Sequence, residues 1–192
     1  MVHSPDRLVL SALSELKEEP FLLGCDHLED GNPLFRIDAR FAVPGETRLD
    51  ARKLLNSEAT VVRTSGGAEK PVHGVITDVA EHKDARYNDV VFHVTIRPRI
   101  WRMKTRPPMP LSGAPRDLSV QEILSQKLKA HGFSEDDDFV FRLRRRSKPR
   151  RTESLAESSN DLDYLVQLCD RAGLQLSFEH HERDCLIISD RA

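Results

Sequence analysis

Residues 34–43 read LFRIDARFAV, and apolar and charged side chains alternate along most of this run. The apolar positions, which share one face of an extended chain, are Phe35, Ile37, Ala39 and Phe41. Alternation of this kind predicts a half-buried β-strand. Turn-forming residues lie on both sides, with Asp-Gly-Asn-Pro before the run and Pro-Gly after it, so the strand has clear boundaries.

Further strand patterns follow in the first hundred residues. ATVVRT at 59–64 and VHGVITDVAEH at 72–82 flank Ser-Gly-Gly at 65–67, which predicts a hairpin. DVVFHVTIRPR at 89–99 alternates in the same way. Short turns between strands favour antiparallel pairing, and closure of a sheet removes its exposed edges. We therefore expect residues 1–106 to form mainly a small antiparallel β-barrel.

The chain changes character after this region. Residues 107–118 contain PPMPLSGAP, whose prolines predict an irregular linker. Ser119 and Glu122 form a capping-box pattern at the start of an amphipathic helix. A second helix is predicted to begin at the N-cap Asn160 and to end at Gly173.

These two helices define a helix-containing subdomain over residues 119–173. LQLSFEH and CLIIS then predict a terminal β-hairpin within residues 174–192, which we expect to return to the sheet. The predicted fold class is therefore β-rich α+β, with a small antiparallel barrel and a helix-containing insertion.

Composition favours an ordinary globular protein. Twenty-nine basic and 31 acidic residues give a net charge of −2, so no molecule-wide field attracts nucleic acid or an anionic membrane. The longest apolar runs are far shorter than the roughly 20 residues that cross a bilayer, and the start of the chain has no signal-peptide pattern. Three irregularly spaced cysteines favour reduced thiols in the cytoplasm.

Two groups of histidine and cysteine residues contain side chains of the kinds that bind metals or act in catalysis. His180, His181 and Cys185, with Cys169 upstream, could bind zinc, but their spacing is not that of a finger or ribbon. Cys25 and His27, in a segment that looks loop-like, could be imagined as a nucleophile and its base. We predict no catalytic site, no metal and no cofactor, and core or turn roles for these side chains.

The strongest local charge is RLRRRSKPRR at residues 142–151. Alone it would suggest phosphate contacts, but aromatic residues are not interleaved with the arginines as single-strand binding requires. A charged protein interface and a solvated surface are the alternatives, and the acidic residues 135–138 could pair with the run. Trp101 could be a core plug or an interface anchor. The predicted interface residues are Arg142, Arg144, Arg145, Arg146, Arg150 and Trp101.

Several blocks of the sequence carry a family resemblance. They are LFRIDARF, HGVITDVAEH, VTIRPRIWRM, SVQEILSQKLKAHG and SNDLDYLVQLCDRAGLQLSFEH. Together they resemble the amino-terminal, tube-forming region of the VgrG and phage late-control protein D family over most of residues 20–189. The last block is the most specific, and its matching positions are Asp161, Leu162, Asp163, Tyr164, Gly173, Phe178, Glu179 and His180. The chain departs from the family pattern at PPMPLSGAPRD and at its basic run.

The resemblance implies a structural role in type VI secretion or a contractile phage tail. It implies a homotrimer whose repeated barrels approximate sixfold symmetry, so that a trimeric spike can sit on a hexameric tube protein. Secreted effectors or adaptors are further implied partners, and family members continue into a neck and a needle that follow this region. We expect a protein of the bacterial cytoplasm, assembled into an injection apparatus and exported without a signal peptide. The alternative is a stand-alone β-barrel module that binds nucleic acid or protein through residues 142–151.

Overall fold

A computed structural model describes residues 6–11, 21–28, 34–43, 49–65, 67–83, 90–112, 118–144 and 159–190. The chain divides into two compact units that are discontinuous in sequence. Unit 1 contains residues 1–99 and 180–184, and unit 2 contains residues 100–179 and 185–192. The linear domain boundaries set out above stay a prediction.

Unit 1 is built on one antiparallel sheet of six strands. In chain order the elements are β1 (Arg7–Leu10), β2 (Phe21–Leu28), β3 (Arg36–Val43), the short helix α1 (Ala51–Leu54), β4 (Glu58–Ser65), β5 (Ala68–Lys83) and β6 (Val90–Arg97). The strand order is β1-β4-β5-β6-β3-β2. The prediction of an antiparallel, barrel-like sheet is confirmed, but the sheet is a curled half-barrel. In the part of the chain that the structure describes, its hydrogen-bonded ladder ends at β1 and β2.

The core of unit 1 lies against the apolar face of β3, as the alternation predicted. Ile37, Ala39, Phe41 and Val43 are buried, whereas the residues between them are exposed or half-buried. Phe41 stacks on Phe92 of β6, with ring centroids 5.3 Å apart. Offset stacking of buried rings adds to the free energy that their burial contributes. This cross-strand pair therefore joins β3 to its neighbour β6 on the buried face of the sheet.

Gly74 allows β5 to approach β6 closely. A Cβ built at this position would lie 2.5 Å from the backbone oxygen of Arg97 and 2.8 Å from a methyl of Ile96. Just beyond it, the pairing of β5 with β6 shifts between Ile76 and Asp78, which is a β-bulge. Bulges increase local twist and bend a strand. The close approach of β5 to β6 and the bulge beside it are both consistent with the curled shape of the sheet.

β2 corrects one sequence-based interpretation. Cys25 and His27 were expected in a loop-like segment, but they pair with Ala39 and Ile37 of β3. The ladder is irregular between Leu22 and Gly24, where one extra residue interrupts the alternation. Because the sequence pattern is broken at this point, the strand was not apparent from periodicity.

Unit 2 combines helices with a small sheet. Its elements are a 3₁₀ helix (Arg99–Lys104, whose first residue groups with unit 1), α2 (Val120–Ala130), β7 (Phe139–Arg142), α3 (Asp161–Ala172), β8 (Leu174–His180) and β9 (Asp184–Asp190). The sheet order is β7-β9-β8, and β7 runs parallel to β9. Within the described residues the terminal hairpin thus pairs with β7 and does not return to the half-barrel sheet. Its tip, residues 180–184, groups with unit 1.

The predicted start of α2 and the predicted start and end of α3 are confirmed. Ser119 and Glu122 form the reciprocal bonds of a capping box at the start of α2. Asn160 caps α3, and Gly173 ends it with a φ of 69°. A positive φ at this position is adopted readily by glycine, since it has no Cβ. Among the described residues, no helix is both long and apolar enough to span a bilayer.

Candidate functional site

Asp161 lies near the start of the most specific sequence block of the family resemblance, and it is buried. Its carboxylate accepts hydrogen bonds from Lys127 Nζ at 2.7 Å, from His131 Nε2 at 2.8 Å and from the backbone N–H of Met109 at 2.7 Å. Lys127 also donates to the backbone oxygen of Met109. The cluster joins α2, α3 and the segment before α2 within unit 2. We call Lys127, His131 and Asp161 the α2–α3 lock.

The electrostatics of the α2–α3 lock favour a charged Asp161. Burial alone would raise the pKa of this carboxyl, but the bonds from Lys127, Met109 and His131 hold the pKa below its usual value. Removing one member of a buried ion pair typically costs about 3–5 kcal/mol, because the other charge stays buried without compensation. The arrangement therefore specifies one packing of the two helices and has the properties of a structural site.

Other residues of the same block also have structural partners. The Asn160 Oδ1 accepts from the backbone N–H of Asp163 at 2.9 Å, and its Nδ2 donates to the Asp163 side chain at 2.7 Å. Lys127 Nζ lies 5.5 Å from the centre of the Tyr164 ring. The residues that carry the family resemblance thus cap α3 and fix it against α2.

Arg142 and Glu179 form a bidentate ion pair on the surface of the small sheet. The two N–O distances are 2.5 and 2.7 Å, and the side chains are 53% and 40% exposed. The hydrogen bonds from Arg142 to Glu179 raise the pKa of the guanidinium. Arg142 was expected to contact a partner or the acidic residues 135–138, but within the chain its partner is Glu179 of β8. Glu135 instead pairs with Lys129, at 2.6 Å.

The remaining predicted interface residues are only partly described. The backbone N–H of Arg144 donates to Asp190 at 2.5 Å. Arg145, Arg146 and Arg150 lie outside the described residues. Trp101 is half-buried in the 3₁₀ helix, and Lys104 Nζ lies 4.7 Å from its ring centroid. The assignment of these residues to an interface stays a prediction.

The polar face of the half-barrel carries a row of charged and polar side chains across four strands. Cross-strand pairing places Asp26, Asp38, Thr95 and Asp78 in one line from β2 to β5. Asp38 accepts from Thr95 at 2.8 Å and from Arg36 at 3.0 Å. A groove of about 600 Å³ follows this line. No local pattern in the sequence indicated it, because its members come from four separate strands.

Neither Cys25 nor Cys169 has a lowered thiol pKa. Burial raises the pKa of Cys25, although Arg63 opposes the effect, and burial raises the pKa of Cys169 to about 12. A nucleophilic or metal-binding cysteine needs the opposite shift, since the thiolate is the reactive form. Among the described residues, no three His, Cys, Asp or Glu side chains converge as metal ligands do.

Comparison with known families identifies the kind of protein to which these features belong. A family model described as the phage tail baseplate hub (GPD) matches residues 30–192. The chain belongs to this baseplate hub family. A search of curated proteins finds no match. The family is one of structural tail hubs.

Three solved structures share the fold of this baseplate hub chain. The E. coli c3393 protein, described as a type VI secretion component similar in structure to the T4 tail proteins gp27 and gp5, is 18% identical with a TM-score of 0.75. The match covers 96% of this chain and 49% of that protein. The 43 kDa tail protein of prophage MuSo2 from Shewanella oneidensis is 14% identical, with a TM-score of 0.66 and coverages of 96% and 53%.

The third structure is the tail protein from Neisseria meningitidis MC58. It is 11% identical, with a TM-score of 0.60, and the match covers 96% of this chain and 50% of that protein. At these identities the likeness shows a shared fold. The chain spans about half the length of the three structures.

Proposed function

We propose that this chain forms the tube-side part of a baseplate hub and connects a hexameric tube to a trimeric spike in a contractile injection apparatus. The observation that carries the proposal is the family match, which extends over residues 30–192. The role is structural and involves no substrate turnover. Whether the apparatus is a phage tail or a type VI secretion system, the mechanical task of the hub is the same.

The geometry of the chain supports such a task. A hub must transmit force without deforming, and an antiparallel sheet whose central strands are paired on both sides resists deformation along the strands. The α2–α3 lock also makes unit 2 rigid, because it joins distant parts of the chain. Asp161 bonds to three groups that precede it in sequence by 30 to 52 residues. Charged residues on the polar face of the half-barrel can set the register between neighbouring subunits.

The proposed partners follow from this role. They are two further copies of the chain in a homotrimer, a hexameric tube protein, and secreted effectors or adaptors. Heterologous contacts between identical subunits give a closed ring when the rotation from one subunit to the next closes. We place the protein in the bacterial cytoplasm before assembly and in the injection apparatus afterwards, with export by the apparatus itself.

The alternative, a stand-alone module that binds nucleic acid through the basic run, has no support in the comparisons. Two arginines of the run are described, and both have contacts within the chain. Arg142 pairs with Glu179, and the backbone of Arg144 is held by Asp190. An arginine whose charge is matched by a carboxylate contributes less to phosphate binding, because the carboxylate also repels the phosphate.

Light scattering of the purified chain over a range of concentrations tests the trimer. The proposal predicts a species with three times the 21.8 kDa mass of one chain, which becomes more abundant as concentration rises. A mass of 21.8 kDa at every concentration would contradict self-association through these residues.

A further inference from the structure

The tip of the β8–β9 hairpin is bound within unit 1 by histidine side chains. The backbone N–H of His73 on β5 donates to His180 Nδ1 at 3.1 Å. The His73 ring lies beside the tip as well, with Nε2 at 2.8 Å from the backbone oxygen of His181. At the other end of the tip, Asp184 accepts from the backbone N–H of Arg99 at 2.7 Å and from the Arg99 side chain.

These bonds determine the protonation of one nitrogen on each of the two rings. A carbonyl oxygen only accepts, so His73 must carry a proton on Nε2. Its Nδ1 lies 2.9 Å from the Thr60 hydroxyl, which can donate to it. A backbone N–H only donates, so His180 Nδ1 must be without a proton. The two contacts of the tip with His73 therefore require a proton on His73 Nε2 and none on His180 Nδ1.

The two rings respond differently to an added proton. A proton on His73 Nδ1 would face the Thr60 hydroxyl oxygen, which can accept as well as donate. A proton on His180 Nδ1 would face the His73 N–H, so two donors would point at each other and the bond would be lost. Of the two rings, His180 is therefore the one whose protonation breaks a bond between the tip and β5.

We propose that the β8–β9 tip is an acid-sensitive latch, which opens when the His180 ring takes up a proton and releases His73. The latch goes beyond the hub assignment and does not depend on it, since it concerns only the residues of unit 1.

The surroundings of His180 oppose protonation while the tip is bound. The ring lies edge-on to Phe35, with centroids 5.4 Å apart, and its titratable neighbours are His73 from β5, His27 from β2 and the adjacent His181. Burial first, and then these three histidines, lower the pKa of His180 from 6.5 to about 4. Burial and each of the three histidines thus all lower the pKa of His180.

The pH range of opening follows from the sign of this shift. With the tip released, His180 takes up its proton near pH 6.5, whereas with the tip bound it does so only near pH 4. The bound state is thus fully favoured above about pH 6.5 and loses stability as the pH falls from there towards 4. Across this range the ratio of open to closed latch rises on the order of 100-fold.

Amide hydrogen exchange at His73, followed by NMR on the full chain, tests the latch, because this N–H is the group that His180 binds. After correction for intrinsic exchange, we expect protection of the His73 amide to fall on the order of 10- to 100-fold between about pH 7 and pH 4.5. The amide of Val94, in the central strand β6, serves as an internal reference and should change little. Equal behaviour of the His73 and Val94 amides would overturn the proposal.

The variant His180→Asn provides the matched control. The Asn side-chain oxygen can accept the same hydrogen bond but does not titrate in this range, so protection of the His73 amide should become independent of pH. Retention of the full acid-induced loss in His180→Asn would assign the effect to another group and refute the latch. If the variant does not fold, the ring ¹⁵N shifts of His180 in the unmodified chain decide. A neutral ring with a bare Nδ1 down to about pH 4 is expected, and protonation near pH 6.5 contradicts the proposal.

Discussion

Lys127 Nζ lies 2.7 Å from Asp161 Oδ1, and the two side chains are only 10% and 3% exposed. They come from different helices and are 34 residues apart in sequence. Asp161 also accepts from His131 and from the backbone N–H of Met109, so its buried charge is well compensated. This pair fixes how α2 and α3 pack, and the first two predictions concern it.

Replacing Asp161 with Asn removes the negative charge that compensates Lys127. We expect Asp161→Asn to lower the free energy of unfolding by about 3 kcal/mol, because Lys127 would stay buried without its counter-charge. Urea denaturation followed by circular dichroism measures the change. Asp137→Asn is the matched control, since it makes the same substitution at an exposed position of the same unit. Equal stability of the two variants would contradict a role for the α2–α3 lock.

The stabilisation by Asp161 should depend on pH in a defined direction. The pKa of this carboxyl is lowered from 3.8 in the folded chain, so its contribution is complete above that value and is lost as the pH falls through the folded pKa. Urea midpoints of the unmodified chain and of Asp161→Asn should therefore differ at neutral pH and approach each other as the pH falls below 3.8. A gap that stays constant over this range would show that Asp161 does not act through its charge.

A third prediction concerns the close approach of β5 to β6. Gly74→Ala places a Cβ 2.5 Å from a backbone oxygen, which cannot move without disturbing the ladder. We expect a loss of about 2–3 kcal/mol in the free energy of unfolding. Gly24→Ala is the comparison, because its Cβ would meet the end of the flexible Arg40 side chain at 3.0 Å. Thermal unfolding should show the larger effect at Gly74, and the reverse order would contradict the described register.

Sequence patterns correctly predicted those elements that are determined by residues within a single strand or helix. The alternation in β3, the capping box at Ser119 and the boundaries of α3 at Asn160 and Gly173 all depend on residues within one element. β2 was missed because an irregularity at Leu22 and Gly24 breaks its period of two.

Contacts between distant segments could not be predicted in this way. Asp161 lies in the first turn of α3, and no pattern in the sequence connects it with its partners Lys127 and His131 on α2 and at its end. The parallel pairing of β7 with β9 joins Phe139 to Leu186, and no turn signal specifies such a pair. The row of carboxylates across β2, β3 and β5 likewise arises only when four strands are aligned. These features follow from tertiary packing, which periodicity does not encode.

A fourth prediction separates the hub from the nucleic-acid module. Fluorescence anisotropy with a labelled oligonucleotide, measured over a range of salt concentrations, should show only weak binding that the triple substitution of Arg144, Arg145 and Arg146 by Ala leaves nearly unchanged. Specific phosphate contacts would instead give an affinity that falls steeply with salt and a shallower slope after the substitution. That outcome would favour the module over the hub.

The position of the chain in an assembled particle tests the hub assignment most directly. Contractile particles from the cells that encode the protein can be labelled with gold-conjugated antibodies raised against this chain and viewed by electron microscopy. The account predicts label at one end of each particle, where the tube meets the spike. Label along the whole tube, or particles that assemble normally without the chain, would contradict it.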